Sequence, residues 1–390
     1  MEFCGIITEF NPLTNGHFYF ISEAARKSGL PVISVMSGNF TQRGEPAILN
    51  KFTRAELAIK AGCFACFELP TVFSVAPAEQ FALGAVRALN SLGVTKLAFG
   101  CEHDNLNDII TIANFLSSPK KEFTHALKQR LSKGENHHFA TAKLLEEFLP
   151  DVDIKKIFSG ANNILAIEYI KAINKINPQI TPILIRRVDN GFTSNSPRAQ
   201  YLGASNIRER FLKGENISAF VPSLTEKALH SEQFNYPAFL LHQLYTIRST
   251  PAEKLKLLFD YAEGIENLIL KNSTTALTMP EAITACVTKR YREARIKRLC
   301  IYPLIGLTKS IAKEIASCPV TLKLLAIKKV DKNKIAEFRK RDARIVVTSA
   351  DYTLFASPSL TLDILASNLY NAYANLPHNF DLTHGTSFID

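Results

Sequence analysis

The first hundred residues alternate between short apolar runs and longer amphipathic stretches. Short apolar runs bounded by turn residues are typical of buried strands, and apolar positions that recur with a helical period are typical of helices. The predicted strands are Phe3 to Thr8, Val32 to Met36, Cys63 to Leu69 and Thr95 to Phe99, and the predicted helices are Phe18 to Ser28, Thr53 to Ala61 and Ala78 to Leu92. This alternation predicts a parallel sheet with helices on both faces.

The middle of the chain departs from this alternation and then returns to it. Residues 105–175 show helical periodicity and contain no convincing strand pattern. A further strand is predicted at Thr181 to Ile185, followed by a polar loop and a helix from about Ala204. The first part of the chain is therefore expected to form one Rossmann-like α/β unit.

The pattern changes again from about Gly214. Residues 218–315 predict a run of helices, interrupted near Pro237, Pro251 and Pro280. After Pro319 the pattern predicts two short strands around a helix, then a last helix and a polar tail. These elements are Leu322 to Ile327, Lys334 to Arg341, Arg344 to Thr348 and Leu360 to Tyr373.

The length of 390 residues is too great for one ordinary core and suggests two large units. We expect an α/β catalytic domain over residues 1–214 and a mainly helical domain with a small α/β element over residues 215–390.

Composition and patterning set the expected environment. Apolar residues make up 46% and charged residues 21%, which is typical of a globular protein. No apolar run approaches the roughly 18 residues that a membrane span needs. The start of the chain lacks the basic and apolar pattern of a signal peptide. We therefore expect a cytoplasmic protein that does not enter a membrane.

The cysteines predict neither a disulfide framework nor a zinc site. Seven are scattered along the chain, an odd number. Cys63 and Cys66 form one CxxC motif without the second ligand pair that zinc requires, so we expect two packed core thiols.

The turn after the first predicted strand carries the clearest chemical signal. It runs from Glu9 to His17, with Gly16 and His17 at the start of the following helix. Helix N-termini present unpaired N–H groups and partial positive charge, which suits phosphate. Gly16 allows a nucleotide to approach the backbone, and His17 can stabilise charge that develops at the α-phosphorus. The alternative is an ordinary helix cap.

A second turn has features that phosphate chemistry also uses. In the segment from Gly203 to Arg208, Ser205 is expected to cap a helix and Arg208 to face the β- and γ-phosphates. The alternative is an ordinary N-cap with a surface arginine. The two turns together favour an enzyme that uses ATP.

Several segments resemble the tRNA(Met) cytidine acetate ligase family, a group of nucleotidyltransferases that carry an (H/T)xGH motif. The motif here is Thr14, Gly16 and His17. The resemblance covers nearly the whole chain and rests on the segments Gly5 to Phe20, Val35 to Ala47, Lys51 to Glu56, Glu68 to Pro70, Phe99 to Gly100, Ser159 to Leu165, Thr288 to Ile296 and Asp363 to Tyr370.

This resemblance implies an ATP-dependent, C–N bond-forming ligase. Acetate would attack the α-phosphate of ATP to give acetyl-AMP, and N4 of the wobble cytidine in elongator tRNA(Met) would then take the acetyl group. Family residues that hold ATP match Ile7, Thr8, Glu9, Phe10, Asn11, Pro12, Leu13, Thr14, Asn15, Gly16, His17, Phe18, Tyr19, Phe20, Gly100, Asn162 and Arg187, with Arg186 alongside. The catalytic candidates are His17, Ser205 and Arg208.

The chain departs from the family at Thr14, where the family usually has His. The wider superfamily accepts Thr at this position, so ATP binding is expected to survive, whereas a two-histidine clamp on the phosphates comes into question. Arg43 either faces the site or lies in a surface loop. Asn162 and Asn163 either contact adenine or ribose, or cap a helix. One of Arg186 and Arg187 is expected to be solvated.

The formal charge of +10 is compatible with a polyanionic partner. Basic residues concentrate between Lys289 and Arg298 and between Lys323 and Arg344. The first segment predicts a basic helix that contacts RNA phosphates, with Tyr291 stacking on a base, although a solvated helix is the alternative. The predicted tRNA contacts are Lys289, Arg290, Tyr291, Arg292, Arg295 and Arg298, and Lys297 lies among them.

Two other functions compete with the ligase. A small-molecule adenylyltransferase shares both turns but usually ends with its Rossmann domain. A non-catalytic RNA-binding protein would not need Gly16, His17, Ser205 and Arg208 intact. Magnesium is expected to accompany ATP, but no residue cluster predicts a dedicated metal site, and no obligate protein partner is evident.

Overall fold

The computed structural model describes residues 2–187, 201–329, 332–341 and 344–390 of the chain. Within these residues, eight strands form one sheet. They are β1 (Phe3–Thr8), β2 (Val32–Ser37), β3 (Ala65–Leu69), β4 (Val94–Cys101), β5 (Thr181–Arg186), β6 (Thr321–Lys328), β7 (Arg344–Val346) and β8 (Ser387–Ile389).

Helices surround the sheet and continue beyond it. Those of the first half are α1 (Asn15–Ser28), α2 (Lys51–Lys60), α3 (Thr71–Ser74), α4 (Ala78–Ser91), α5 (Leu106–Ser117), α6 (Lys121–Ser132), α7 (His137–Phe148), α8 (Ile154–Ser159) and α9 (Ala161–Ile176). Those of the second half are α10 (Ala204–Leu212), α11 (Ser223–Ser231), α12 (Tyr236–Ser249), α13 (Ala252–Leu255), α14 (Ile265–Thr275), α15 (Met279–Cys286), α16 (Glu293–Ile305), α17 (Lys309–Ser317), α18 (Lys332–Arg339), α19 (Ser349–Leu354), α20 (Pro358–Asn371) and α21 (Phe380–Thr383).

The strand order is β5-β4-β1-β2-β3-β6-β7, and β8 pairs with β6. The first five strands are mutually parallel, whereas β6 runs antiparallel to β3. After β1 the chain builds β2 and β3 on one side and then β4 on the other. The crevice at the carboxyl ends of β1 and β4 is therefore a topological switch point, where ligands bind in folds of this type.

These observations confirm the predicted α/β class with a parallel sheet, a helical second half and a small α/β element. Strand β1 has the predicted bounds, and the helix predicted from Phe18 begins earlier, at Asn15. Pro237 and Pro280 lie in the first turns of α12 and α15, where a missing N–H costs nothing. The polar tail contains two elements that the pattern did not predict, α21 and β8, and β8 pairs with β6.

The second half is joined to the first through the sheet. Strands β6, β7 and β8 extend a sheet that starts in residues 1–214, since β6 pairs with β3. The division into domains at residue 214 stays a prediction, and the pairing shows that these two parts share one sheet.

Buried charges reinforce this junction. The Lys51 ammonium group donates hydrogen bonds to both oxygens of Glu68 at 2.7 Å, to Asp381 at 2.5 Å and to Ser367 at 2.8 Å. Lys323 donates to the Asp381 carbonyl at 2.8 Å. Burial alone would lower the pKa of Lys51, but Asp381 and Glu68 raise it. We call Lys51, Glu68, Lys323 and Asp381 the charge cluster, and it links α2, β3, β6 and α21.

The cysteines lie where the sequence predicts. Cys63 and Cys66 are free and buried, and burial raises the pKa of Cys66 to about 12. The prediction of two packed thiols is confirmed. Among the described residues, no helix is both long enough and apolar enough to cross a membrane.

Candidate active site

The loop after β1 ends in a reciprocal cap at the start of α1. Thr14 is the N-cap residue, and its hydroxyl accepts a hydrogen bond from the His17 N–H at 3.3 Å. The Thr14 N–H donates to Nδ1 of His17 at 3.1 Å. Because Nδ1 accepts, a neutral His17 ring carries its proton on Nε2. The cap therefore sets both the tautomer and the direction of His17.

Buried side chains hold this loop in shape. Phe10 is fully buried with a φ of 45° and meets the His17 ring edge-on, with 5.3 Å between centroids. The Asn11 side-chain oxygen accepts the Ile48 N–H at 2.8 Å. Arg54, also fully buried, donates to the carbonyls of Glu9 at 2.6 Å and Ser37 at 3.1 Å. Arg54 thus joins the carboxyl ends of β1 and β2, a role that sequence analysis missed.

A cavity of about 520 Å³ opens beside His17. It lies at the carboxyl ends of β1, β4 and β5, because Thr8, Gly100 and Ile185 line it. This volume is in the usual range for a small-molecule site. The predicted residues that line it are Ile7, Thr8, Glu9, Phe10, Asn11, Thr14, Gly16, His17, Tyr19, Phe20, Gly100, Asn162, Arg186, Arg187, Ser205 and Arg208.

Four residues predicted to hold ATP do not line the cavity. Pro12 and Leu13 are buried, and Phe18 is 49% exposed at the surface of α1. The Asn15 side chain donates to the Ala219 carbonyl at 3.0 Å. In the described structure these residues shape the loop and its helix rather than the cavity wall.

The second predicted turn reaches the same cavity but is built differently. The N-cap of α10 is Gly203, without a side-chain capping bond, and Ser205 is exposed in the first turn. The prediction that Ser205 caps the helix was therefore wrong, because Ser205 already lies inside it. Arg208 donates to the Asn11 carbonyl at 2.6 Å and to Glu45 at 3.1 Å. These bonds fasten α10 to the loop after β1.

Glu9 is a half-buried carboxylate in the cavity wall. Burial raises the pKa of Glu9. A hydrogen bond from the Gln42 N–H at 2.7 Å and the positive charges of Arg208 and Arg43 lower it by a smaller amount. The net shift of the Glu9 pKa is upward, so this carboxyl group ionises less readily than one in water.

The two asparagines before α9 have different roles. Asn163 is buried, and its side-chain oxygen accepts the N–H groups of Glu102 at 2.8 Å and His103 at 2.9 Å. It therefore fixes the turn after β4. Asn162 is half-buried, lines the cavity and donates to Glu102 at 2.6 Å.

The paired arginines after β5 also differ. Arg186 is largely exposed and pairs with Asp104 at 3.4 Å. The Arg187 N–H donates to the Cys101 carbonyl at 2.8 Å. A Cβ added at Gly100 would lie 3.3 Å from Cγ of Arg187, so Gly100 leaves room for that side chain. Both arginines line the cavity.

The second half of the chain supplies one wall of the cavity. Arg292 and Ala294 line it, together with His138 from α7 and with Gln42 and the exposed Arg43. Arg292 donates to Nδ1 of His138 at 3.0 Å. Burial and the Arg292 charge lower the pKa of His138 to about 4, so its ring is neutral near pH 7. His138 carried no recognisable sequence signal.

The predicted basic helix was partly wrong. Helix α16 begins only at Glu293, so Lys289 to Arg292 precede it. Tyr291 is 8% exposed and packs in the helical core between Arg290 and Arg295, which does not leave its face open for a base. Most of the cations have partners in the chain: Arg290 with Glu263, Arg295 with Asp260, Lys297 with Glu45 and Arg298 with the Gln42 carbonyl.

The chain is similar to known proteins over nearly its whole length. The model of the HIGH Nucleotidyl Transferase family matches residues 1–383. A tRNA(Met) cytidine acetate ligase from Caldanaerobacter subterraneus subsp. tengcongensis is 36% identical over 390 residues, covering 96% of each chain. One from Thermoanaerobacter sp. is 34% identical over 389 residues, with the same coverage.

Solved structures share the fold. The crystal structure of Thermotoga maritima TmcAL bound with alpha-thio ATP superposes with a TM-score of 0.91 over all of both chains, at 24% identity. The apo form of that protein gives the same TM-score. The sequence matches extend over nearly the whole length, and the chain therefore belongs to the tRNA(Met) cytidine acetate ligase family of HIGH nucleotidyl transferases.

Proposed function

We propose that this enzyme uses ATP to join acetate to the wobble cytidine of elongator tRNA(Met), giving N4-acetylcytidine. The observation that carries the proposal is the position of His17, which the Thr14 cap directs at the start of α1 beside the 520 Å³ cavity. A helix N-terminus and an imidazole N–H are suited to phosphate oxygens. Because tRNA is a cytoplasmic molecule, we propose a cytoplasmic enzyme.

In the first step, an acetate oxygen attacks the α-phosphorus and pyrophosphate leaves, which yields acetyl-AMP. The chain need supply no covalent nucleophile, since positioning and positive charge suffice. Hydrogen-bond donors at the N-terminus of α1 and on His17 would stabilise charge on the α-phosphate. Arg187 and Arg208 line the same cavity and would neutralise phosphate charge.

In the second step, N4 of cytidine attacks the acetyl carbonyl carbon, the bond to AMP breaks and N4 loses a proton. The cytidine must leave its stack to reach acetyl-AMP. The wall formed by Arg43, His138 and Arg292 lies where the second half of the chain meets the cavity. We propose that the tRNA enters along this wall, and that residues 215–390 supply most of its contacts.

Magnesium enters the proposal with ATP. Across the described ranges, no group of three acidic, histidine or cysteine side chains could hold a metal ion. A magnesium ion that travels with ATP commonly takes phosphate and water oxygens as ligands, and it would help to neutralise the phosphates.

The test is a reaction of purified protein with ATP, labelled acetate and bulk bacterial tRNA. Digestion and mass spectrometry should find label in acetylcytidine, dependent on ATP and lost in His17→Ala. Transfer of AMP to a small phosphorylated metabolite, with no label in tRNA, would instead support the adenylyltransferase.

A further inference from the structure

A second cavity of about 470 Å³ lies next to the first. Its lining includes Gln80, His137, Phe259, Asp260, Arg295 and Arg298. None of these residues lines the cavity beside His17. The second cavity combines an aromatic wall with amide, imidazole and guanidinium groups and with the carboxylates of Glu79 and Asp260, of which Asp260 pairs with Arg295. It therefore offers hydrogen-bond donors beside an apolar surface.

The same segments separate the two cavities. Pro77 lines the second cavity and Ala78 the first, and His137 lines the second and His138 the first. A ligand that spans both would therefore follow one continuous wall of the protein.

Arg298 is the unusual group in the second cavity. It is only 7% exposed, its Nη1 donates a hydrogen bond to the Gln42 carbonyl at 3.1 Å, and Tyr302 is a further hydrogen-bond partner. Its Nε has no hydrogen-bond partner within the described part of the chain. The neighbouring Arg295 and Lys297 pair with Asp260 and Glu45, whereas Arg298 forms no ion pair in that part of the chain.

A buried guanidinium N–H group without a hydrogen-bond partner is costly, because its lost hydration is not replaced, and the nearby charge of Asp260 offsets only part of the effect of burial on Arg298. Burial accordingly lowers the pKa of Arg298. An anionic ligand would supply the missing partner for its Nε. Guanidinium groups match phosphate oxygens in geometry and charge.

We propose that the second cavity binds a tRNA backbone phosphate next to the target cytidine, with Arg298 as its principal ligand. This inference rests on the proposed function. The target base enters the first cavity, and the adjoining nucleotide lies along the shared wall, with Phe259 beside its sugar. Acetate fits this cavity poorly, because acetate must reach the α-phosphate, on the other side of the shared segments.

The test compares Arg298→Lys and Gln80→Glu with the wild-type enzyme. Arg298→Lys keeps the positive charge but removes Nε and the rest of the planar guanidinium group. Gln80 is exposed at the cavity, so Gln80→Glu adds negative charge with little risk to folding. Gln179→Glu is the matched control, since Gln179 is exposed before β5 and lines neither cavity. Thermal melting of each variant checks that it folds.

Two measurements separate the outcomes. Filter binding of an elongator tRNA(Met) transcript at several KCl concentrations gives Kd and its salt dependence, and acetate-dependent ATP–pyrophosphate exchange reports the first step. We expect Kd to rise about tenfold in both variants. The slope of log Kd against log salt should stay near the wild-type value in Arg298→Lys, which keeps the charge, and should fall by up to about 0.7 to 0.9 in Gln80→Glu, whose carboxylate opposes one phosphate contact. The KM for acetate should stay at the wild-type value.

A raised KM for acetate with unchanged tRNA affinity would overturn the proposal and assign the cavity to acetate. Unchanged values in both assays would also overturn it. Absence of acetate-dependent exchange in the wild-type enzyme would contradict the proposed function. The tRNA-binding assay would still test the second cavity independently.

Discussion

The Thr14 N–H donates to Nδ1 of His17 at 3.1 Å, and the His17 N–H donates to the Thr14 hydroxyl at 3.3 Å. His17 thus takes the position in a capping box that Glu or Gln usually occupies. Thr14 stands where the family resemblance implies a second histidine, and here it supports His17. This pairing explains how a single histidine can be held in one orientation at the phosphate end of α1.

The Thr14 hydroxyl should matter for stability. We expect Thr14→Ala to lower the free energy of unfolding by about 1 kcal/mol, since it removes an N-cap oxygen. It should also raise the KM for ATP, because the first turn of α1 loosens. Thr14→Ser keeps the hydroxyl and should lie near the wild type in both urea unfolding and pyrophosphate exchange. Equal effects of the two substitutions would contradict this role.

His17 should act in the first step rather than in folding. His17→Asn can keep an acceptor for the Thr14 N–H but lacks ring Nε2. We expect acetate-dependent ATP–pyrophosphate exchange to fall about 10²- to 10³-fold, the usual effect of removing one donor to a developing charge. His125→Asn, on the exposed face of α6, is the matched control. Exchange at the wild-type rate in His17→Asn would rule out this function for His17.

Asp363 should make stability depend on pH. Burial and the nearby Glu68 raise the pKa of Asp363 from 3.8 to about 7, and its Oδ1 accepts the Thr71 N–H at 2.6 Å. At a pH between these two pKa values, the folded chain retains a proton that the unfolded chain has lost. The contribution of Asp363 to the free energy of unfolding therefore falls as pH rises. Asp363→Asn should therefore stabilise the protein more at pH 8 than at pH 5 in urea unfolding.

Asp381 provides the opposite case. Burial by itself would raise the pKa of Asp381, but the charges of Lys51 and Lys323 lower it by more. Its stabilising contribution is present above the ordinary pKa and is lost as pH falls through the lowered value. Asp381→Asn should destabilise the protein at neutral pH, whereas Asp363→Asn should not. The same sign for both variants at pH 8 would contradict this assignment of charges.

Gly44 allows the loop before α2 to touch α16. Its φ is +76°, and an added Cβ would fall on the backbone of Lys297 and Arg298. Gly44→Ala should therefore destabilise the protein by more than about 1 kcal/mol, since strain and overlap add. Gly134 also has a positive φ, but nothing lies near its Cβ position. Gly134→Ala is thus the control for backbone strain alone in thermal melting.

Thiol reactivity should be confined to one position. Six of the seven cysteines are buried, and Cys318 is half-buried. Burial raises the pKa of Cys101 to about 11 and that of Cys66 to about 12, so their thiolates are scarce at neutral pH. Titration of the native protein with a thiol reagent should show one fast group, absent in Cys318→Ser. Rapid reaction of more than one thiol would contradict this burial.

Local patterns were enough to identify the parallel strands β1 to β5 and the first candidate turn of the site. The strand from Phe3 to Thr8 and the turn that ends at His17 are adjacent in the sequence. Their geometry depends on hydrophobic periodicity and on one helix cap, both of which act over a few residues. The family resemblance assigned the chain to the tRNA(Met) cytidine acetate ligases, and the sequence comparisons confirm that family.

The roles of the basic residues could not be obtained in this way. A run of Lys and Arg between Lys289 and Arg298 resembles a solvated RNA-binding helix in sequence. The structure instead buries Arg298 and Tyr291 and pairs Arg295 with Asp260. Sequence spacing gives no information on which acidic side chain a distant segment brings near.

The sequence by itself determined the α/β class, the parallel strands β1 to β5 and the Thr14–His17 turn, because local interactions specify each of them. Only the tertiary structure decided that β6 and β8 extend the sheet, that His138 and Arg292 close the cavity, and that the charge cluster joins α2 to α21. These contacts join residues that lie far apart in the sequence. Their energies depend on burial and on paired charges, which exist only once the chain has folded.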